Sequence, residues 1–221
     1  LSPNIIIYCI SADAQTDASY KAHYVDGLNN VLVSQADNTQ LQHVFFVSST
    51  RVYGQDTDDI LNESVPALPN DFGGNRLLEA EALLRQLPCK STALRLSGIY
   101  GPRRLYLINM ANEPDRWPAN NRWTNRIHRD DAARFVVFLC NKVTRGESVD
   151  QHYIVTDNMP ALLYDVLEWL ANKLNKSLPD IANQSNIITG KRLSNQKLRE
   201  TGFALRYPDY TVGYGEIIKG L

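Results

Sequence analysis

The chain has 221 residues, 43% of them hydrophobic, and its 23 basic and 24 acidic residues leave a formal net charge of −1. A chain of this size can bury a sizeable core in one domain, and its balanced charge excludes the basic footprint of a nucleic-acid or anionic-membrane binder. No apolar run approaches the ~20 residues of a membrane-spanning helix and no signal peptide is visible, so cytoplasm is the default expectation.

Short apolar runs alternate with helical patterns along the chain. In chain order the patterns predict a strand over 4–10, a helix over 17–36, a strand over 43–47, a helix over 75–87, a strand over 92–96, a helix over 130–141, a strand over 152–155 and a helix over 162–174. This alternation is typical of a parallel sheet with right-handed crossovers. Residues 179–186 are a polar loop at most. Near the end, Ser194 or Asn195 is a plausible N-cap for a short helix that Gly202 terminates.

The cysteines and histidines do not indicate a metal site. Cys9, Cys89 and Cys140 are scattered, as are the four histidines, at spacings that match no metal-binding motif. We therefore predict small buried cysteines rather than ligands or a disulfide.

Four ordered segments carry the functional signal. They read Ser48-Ser49-Thr50-Arg51-Val52-Tyr53-Gly54; then, after Glu63, Pro66 and Pro69, Phe72-Gly73-Gly74-Asn75-Arg76-Leu77-Leu78-Glu79; then Arg95-Leu96-Ser97-Gly98-Ile99-Tyr100-Gly101-Pro102; and Arg126-Ile127-His128-Arg129-Asp130-Asp131-Ala132-Ala133. Their order and spacing resemble the extended branch of the short-chain dehydrogenase/reductase superfamily, the NAD-dependent epimerases and dehydratases. Within it, the chain looks most like the atypical YeeZ-type NAD-binding proteins, which keep the fold and lack the usual active-site residues.

The resemblance implies an α/β fold, a Rossmann-like doubly wound parallel sheet with a small C-terminal lobe. Residues 1–101 would form the C-terminal part of an NAD(P)-binding domain, and residues 102–221 the remaining Rossmann elements interleaved with a substrate-binding lobe. The family's glycine-rich turn, Gly-x-x-Gly-x-x-Gly, does not occur here. Because the first strand resembles the family's fourth, we expect roughly 60 further residues, with the cofactor-binding loop, upstream of Leu1.

The resemblance also assigns catalytic positions, two of which are changed. Ser49 would hydrogen-bond the substrate, Phe72 stands where the family has its acid/base Tyr, and Arg76 stands where it has Lys. Phenylalanine has no ionisable proton, whereas arginine could keep a cofactor contact without the chemistry. Tyr53 or Tyr100 could supply a relocated acid, although packing of their turns is the plainer interpretation.

The same resemblance implies which residues bind the cofactor and the substrate. The expected cofactor contacts are Cys9, Ile10, Ser11, Ser48, Arg76, Ser97, Gly98 and Ile99, and the expected substrate contacts are Arg103, Arg104, Trp117 and Arg126. At the position where the family usually has an Arg that binds diphosphate, this sequence has Thr124. Arg103, Arg104, Arg122 and Arg126 either replace that Arg or form a solvated basic loop. Trp117 and Trp123 either fold over a ligand as a lid or close the core of the lobe.

These observations predict a protein that binds NAD or NADP and acts on a nucleotide sugar or a small carbonyl or hydroxyl compound, with altered or weak catalysis. The alternative is a non-enzymatic NAD(P)-sensing regulator that binds a partner protein. The resemblance implies a homodimer through the helices over 17–36 and 75–87. Neither the substrate nor the choice between NAD and NADP can be read from this sequence.

Overall fold

The computed structural model describes residues 2–178 and 185–221. Its strands are β1 (Ile5–Tyr8), β2 (His43–Ser49), β3 (Ile60–Leu61), β4 (Lys90–Leu96), β5 (Gly98–Tyr100), β6 (Asn120–Thr124), β7 (Arg126–His128), β8 (His152–Val155), β9 (Ala161–Leu162), β10 (Ser185–Gly190) and β11 (Arg192–Leu193). Its α-helices are α1 (Asp17–Tyr20), α2 (Gly27–Ser34), α3 (Phe72–Leu84), α4 (Tyr106–Ala111), α5 (Arg129–Thr144), α6 (Leu163–Lys173), α7 (Gln196–Glu200) and α8 (Tyr210–Lys219). Across these two ranges, no helix is both long and apolar enough to cross a bilayer.

The chain divides into two compact units. The first unit comprises Leu1–Gln55, Glu63–Ser97 and Arg134–Val155, and the second comprises Asp56–Asn62, Gly98–Ala133 and Thr156–Leu221. The domain assignment made from the sequence, with its boundary after residue 101, stays a prediction.

The first unit is built on a parallel sheet of order β1-β2-β4-β8. Val44, Phe45 and Phe46 of β2 are fully buried, as expected for a parallel strand covered on both faces. The predicted Rossmann-like α/β fold is therefore confirmed.

Helix bounds differ from the sequence patterns at two informative places. The helix predicted over 17–36 consists of α1, a π-helical turn over Lys21–Asp26, and α2, which ends at Ser34. Helix α3 begins at Phe72, three residues before the predicted start, because the Asp71 carboxylate accepts a hydrogen bond from the Gly74 N–H at 2.8 Å. Gly73 and Gly74 are poor helix formers, so the sequence pattern did not predict that the helix begins before them. The Asp71 N-cap makes this earlier start favourable.

A buried ion pair joins α3 to the sheet of the first unit. Arg95 of β4 donates to Glu81 of α3 from Nη2 at 2.7 Å and from Nε at 3.1 Å, and the two side chains are 7% and 5% exposed. Ser48 Oγ donates to Glu81 at 2.7 Å, and Arg95 Nη1 donates to the Tyr53 hydroxyl at 2.6 Å. Each charge is thus neutralised and hydrogen-bonded, which a buried pair requires.

The second unit has a helical core and three small sheets. These sheets have the orders β10-β6-β9, β11-β3 and β5-β7 among the described residues. The core packs α6 against α4 and α8, with Leu163, Val166, Leu167 and Leu170 almost fully buried. The helix predicted over 162–174 is therefore a packing face, in agreement with its one-sided apolar pattern.

Three smaller expectations have different outcomes. Gly202 follows α7 with a φ of +86°, the left-handed conformation expected of a helix-terminating glycine. The prediction of buried cysteines was wrong for Cys9, which is exposed after an edge strand, while the other two are half-buried. Most of the polar loop predicted over 179–186 lies outside the described residues, and its last two residues belong to β10.

Burial of His43 makes the stability of the fold depend on pH. Its Nε2 lies 3.0 Å from Thr92 Oγ1, which donates its own proton to the Asp150 carbonyl, so Nε2 carries the hydrogen and Nδ1 has no partner within the described chain. Burial, with a smaller effect of Lys90, lowers the pKa of His43 from 6.5 to about 4.

Because the pKa of His43 is lower in the folded state than in the unfolded state, neutral His43 contributes its full stability to the fold above pH 6.5. This contribution is lost as the pH falls toward 4. At about 1.4 kcal/mol per pKa unit, the contribution of His43 to the free energy of unfolding should fall by about 3 kcal/mol across this window. Urea unfolding at several pH values measures how the free energy of unfolding depends on pH. His43→Gln, which keeps a donor toward Thr92, should lack the part of this dependence that His43 contributes. An equal dependence in both proteins would contradict the assignment.

Removing Glu81 tests the buried ion pair. Glu81→Ala leaves Arg95 buried without its carboxylate and should lower the free energy of unfolding by about 3–5 kcal/mol. Glu79→Ala is the matched control on the same helix, since Glu79 makes only a surface pair with Arg76 and should cost at most about 1 kcal/mol. Urea midpoints compare the two variants, and equal losses would show that the buried pair is not a main support.

Candidate functional site

The carboxyl end of β2 carries two serines that point in opposite directions. Ser48 is buried and donates to Glu81, whereas Ser49 is half-buried and its Oγ accepts a hydrogen bond from the Arg51 N–H at 3.2 Å. Successive residues of a strand face opposite sides of the sheet, so only Ser49 belongs to the open edge. The structure therefore places Ser48, an expected cofactor contact, in the interior.

Phe72 lies in a cluster built around the guanidinium of Arg51. Arg51 Nε donates to both oxygens of Asp71, at 3.0 and 2.9 Å, and its central carbon lies 5.0 Å from the ring centres of both Phe72 and Tyr20. The Phe72 and Tyr20 rings meet edge to face at 5.4 Å. Burial would raise the pKa of Asp71, but hydrogen bonds from the Gly74 N–H and from Arg51 hold that pKa below its usual range.

Arg76 is turned away from this cluster. Its Nε and Nη2 donate to the two oxygens of Asp17 at 2.8 and 2.9 Å, and its Nη1 donates to Glu79 at 2.6 Å. These hydrogen bonds, that to Asp17 first, raise the pKa of Arg76 above its ordinary value. The side chain predicted to stand at the position of the family's Lys is thus already satisfied by two carboxylates.

The other expected contacts in the first unit lie at the ends of strands. Cys9, Ile10 and Ser11 follow β1, with Cys9 and Ser11 exposed and Ile10 half-buried. Ser97 follows β4, is buried, and its hydroxyl donates to the Val155 carbonyl at 3.3 Å. Ser97 therefore supports the sheet edge rather than offering a free hydroxyl.

Tyr53 and Tyr100, the two tyrosines considered as relocated acids, are both buried. Tyr53 is fully buried against Arg95, and Tyr100 is 3% exposed, with its hydroxyl 3.5 Å from the Asp209 carbonyl and its ring 4.4 Å from that of Tyr214. Burial raises the pKa of each phenol. These environments favour the interpretation that both rings pack their turns.

The second unit contains a cleft of about 510 Å³. It is lined by Gly98, Ile99, Tyr100, Arg103, Arg104, Leu105, Tyr106, Leu107, Arg122, Thr124, Asn125, Arg126, Leu163 and Tyr214. All four arginines considered as substrate contacts are in this set, three of them exposed and Arg126 buried. The structure thus brings the expected basic residues together in one concave site.

Arg126 is the buried cation of the cleft. It is 3% exposed, donates to Thr124 Oγ1 and lies 5.1 Å from the Tyr210 ring centre, but its Nη1 has no hydrogen-bond partner among the described residues. Nearby, the Asp157 N–H donates to the Arg126 carbonyl at 2.7 Å. Burial raises the pKa of Asp157 to about 7 despite the opposing effect of Arg126.

The two tryptophans considered as a lid belong to the body of the second unit. Trp117 is 9% exposed, packs near Tyr164 and donates from Nε1 to the Met110 carbonyl at 3.1 Å. Trp123 is half-buried under the Arg192 guanidinium, 4.9 Å from its ring centre. The core interpretation is therefore favoured for Trp117, which does not line the cleft.

Sequence reasoning missed Arg51, Asp71 and Tyr20. Arg51 and Asp71 are 20 residues apart in the chain, and Tyr20 lies 31 residues before Arg51. Arg51 occupies a variable position of the family pattern, so no motif marked it. Among the described residues, no cluster of His, Cys, Asp or Glu could hold a metal ion.

Solved structures of similar proteins identify the family. A protein from Methylobacillus flagellatus, described as belonging to the NAD-dependent epimerases/dehydratases, is 45% identical, with a TM-score of 0.87 over 99% of this chain and 77% of that one. UDP-galactose 4-epimerase is 18% identical, with a TM-score of 0.76 over 100% and 79% of the two chains. MoeE5, solved with UDP-glucuronic acid and NAD, is 15% identical, with a TM-score of 0.76 over 98% and 78%.

The two distant structures show the shared fold alone. No protein-family model matches the chain, and comparison with curated proteins gave no match. The Methylobacillus flagellatus protein is decisive, because its 45% identity extends over almost the whole of this chain. The chain therefore belongs to the NAD-dependent epimerase/dehydratase family.

Proposed function

We propose that the protein binds a nicotinamide dinucleotide at the carboxyl edge of the first unit's sheet and a nucleotide sugar in the cleft of the second unit. Its activity would be of the epimerase/dehydratase type, with catalysis altered by Phe72 and Arg76. NAD is the favoured cofactor, since MoeE5 and a dTDP-glucose 4,6-dehydratase of the same fold were solved with NAD. A homodimer and a cytoplasmic location stay predictions.

The residues at the sheet edge fit part of such a cofactor. Ser11 follows β1 and Ser49 is the last residue of the adjacent parallel strand β2, at the edge where dinucleotide-binding sheets receive their ligands. Since the sequence contains no glycine-rich turn for the pyrophosphate, these residues fit the nicotinamide half. When bound, the dinucleotide supplies a hydride acceptor or donor. Ser49 would orient a hydroxyl or carbonyl of the substrate.

The unpartnered Nη1 of Arg126 is the observation that carries the substrate proposal. A buried guanidinium that lacks one acceptor is costly, and a diphosphate supplies anionic oxygens in the geometry that arginine recognises. Arg103, Arg104 and Arg122 line the same cleft and would add positive charge around such a ligand. The ligands of the distant structures, UDP-glucuronic acid among them, have this chemistry.

A non-enzymatic sensor of NAD(P) is the second candidate. It is favoured by the absence of an ionisable proton at Phe72 and by the pairing of Arg76 with Asp17 and Glu79. Such a protein would bind the dinucleotide without turning over any sugar nucleotide, whereas an altered enzyme would show slow turnover.

The cofactor proposal is tested with the gene-length protein by fluorescence titration with NADH and with NADPH. We expect saturable binding of at least one of them, because the family shares a dinucleotide-binding edge. Binding without turnover of UDP-galactose, UDP-glucuronic acid or dTDP-glucose would favour the sensor. Absence of binding up to millimolar concentration would refute both candidates.

The substrate site is tested by calorimetric titration with UDP. Arg126→Gln should weaken UDP binding at least tenfold, because loss of one charge-assisted contact removes about 1.5–3 kcal/mol. Arg126→Lys, which keeps the charge and loses the forked geometry, should fall between this variant and the wild type. Arg145→Gln, which removes an exposed arginine paired with Glu147, is the control and should bind normally.

Thermal unfolding of the same variants separates lost contacts from lost structure. If Arg126→Gln unfolds at the temperature of the wild type and still binds UDP as tightly, then Arg126 does not hold the ligand.

A further inference from the structure

We propose that Tyr20 is the acid/base residue of this protein and that Arg51 is its positioning residue, together replacing the Tyr and Lys that the family has at positions 72 and 76. The inference rests on the proposed function, since proton transfer has meaning only beside a bound dinucleotide and a substrate. All the residues involved belong to the first unit.

The phenol of Tyr20 lies beside Phe72, at the position where the family has its acid. Tyr20 is 7% exposed, and it differs from the buried Tyr53 and Tyr100 in packing directly against Phe72. Its ring centre is 5.4 Å from that of Phe72, with the two rings nearly perpendicular. Of these two contacting rings, Tyr20 is the one that has a hydroxyl. The ionisable group missing from position 72 is therefore present one ring away.

Arg51 provides the cation that such an acid requires. Its Nη1 donates to the Tyr20 hydroxyl oxygen at 2.8 Å, while that hydroxyl donates to Gln15 Oε1 at 3.1 Å. A guanidinium that donates to a phenol oxygen stabilises the oxyanion left when the phenol gives up its proton. Arg76 cannot do this, because its donors are directed to Asp17 and Glu79.

The start of α3 is shaped to hold Arg51 in this place. Asp71 binds Arg51 Nε through both carboxylate oxygens. A Cβ at Gly73 would lie 2.4 Å from the central carbon of the Arg51 guanidinium, so only glycine leaves the space that this group occupies. The arrangement also lies at the carboxyl end of β2, since the Arg51 N–H is bonded to Ser49 Oγ.

The proton transfer balances in both directions. In alcohol oxidation, the Tyr20 phenolate accepts the proton of a sugar hydroxyl. The carbon that bears this hydroxyl loses a hydride to the oxidised dinucleotide, which leaves a ketone. In ketone reduction, the hydride returns to that carbon and the Tyr20 hydroxyl gives its proton to the carbonyl oxygen. Ser49 holds the same oxygen by a hydrogen bond.

The first experiment measures the phenol without any cofactor. The ultraviolet absorbance of tyrosinate is followed against pH for the wild type and Tyr20→Phe, and their difference isolates Tyr20. The groups that face Tyr20 are Arg51, Gln15, Tyr24 and Phe72, with Asp71 behind Arg51. In an Arg51→Gln background, the Tyr20 difference band should appear at higher pH, and Arg51→Lys should restore it in part. A band that does not move would overturn the proposal.

The second experiment measures turnover of UDP-galactose, UDP-glucuronic acid and dTDP-glucose by the gene-length protein with NAD. Tyr20→Phe should lower the rate by roughly 10²–10⁴ while NADH binding by fluorescence is unchanged. The exchanged variant, Tyr20→Phe with Phe72→Tyr, should regain part of the rate, because a phenol again lies in the cluster. Tyr24→Phe is the matched control, since its ring also contacts that of Tyr20, at 5.1 Å, and it should keep the wild-type rate.

The outcomes distinguish failure of the Tyr20 assignment from failure of the proposed cofactor binding. If Tyr20→Phe keeps its rate, or if the wild type binds NADH and turns over none of the three sugars, then Tyr20 only ties α1 to α3 and the assignment fails while cofactor binding stands. If the wild type does not bind NADH, the proposed function fails, and the assignment fails with it.

Discussion

The buried pair of Glu81 and Arg95 is the interaction on which the geometry of the first unit depends. An ion pair removed from water is tolerated only when each partner keeps its hydrogen bonds, and here Ser48 and Tyr53 complete them. Three separate segments of the family pattern, the end of β2, helix α3 and strand β4, are thereby joined at one point. Because Ser48 is held inward, its neighbour Ser49 must face the other side of the sheet. The hydrogen-bonded network of Glu81, Arg95, Ser48 and Tyr53 therefore determines that Ser49 faces the open edge, although the network itself is buried.

The fold could be predicted from the sequence because burial of a parallel sheet leaves a strong pattern. The continuous apolar run that begins at His43 could not be a solvated strand, and the alternation of strands and helices left few topologies. The motif spacing also predicted roles for Ser49, Phe72 and Arg76, which stay predictions. It could not show the partners of those residues, since Arg76 is paired with Asp17 across 59 positions of the chain. Such a pairing depends on how helices pack, and a single sequence contains no record of it.

The arginines near the changed positions differ in the partners that they bind. A lysine is a compact ammonium that can serve as a local charge for a neighbouring phenol, whereas arginine has a planar fork that binds carboxylates. Arg76 has taken that second role on the outside of α3. Arg51 is also bound to a carboxylate, but its remaining donors reach Tyr20 and Gln15. A cation thus lies beside the rings of Tyr20 and Phe72 at the sheet edge, and it comes from a different segment from Arg76.

Arg126 in the second unit contrasts with these two arginines because its hydrogen bonding is incomplete. It interacts electrostatically with Asp157, whose buried carboxylate has one oxygen bonded to the Met159 N–H and the other without a partner in the described ranges. With the pKa of Asp157 raised to about 7, this acid is partly neutral at neutral pH and does not fully offset the guanidinium. Folding alone would favour a closed pair, in which both groups were satisfied. Packing does not explain why one donor of Arg126 has no acceptor in a cleft that three further arginines line. An anionic ligand that accepts from this donor explains the arrangement better.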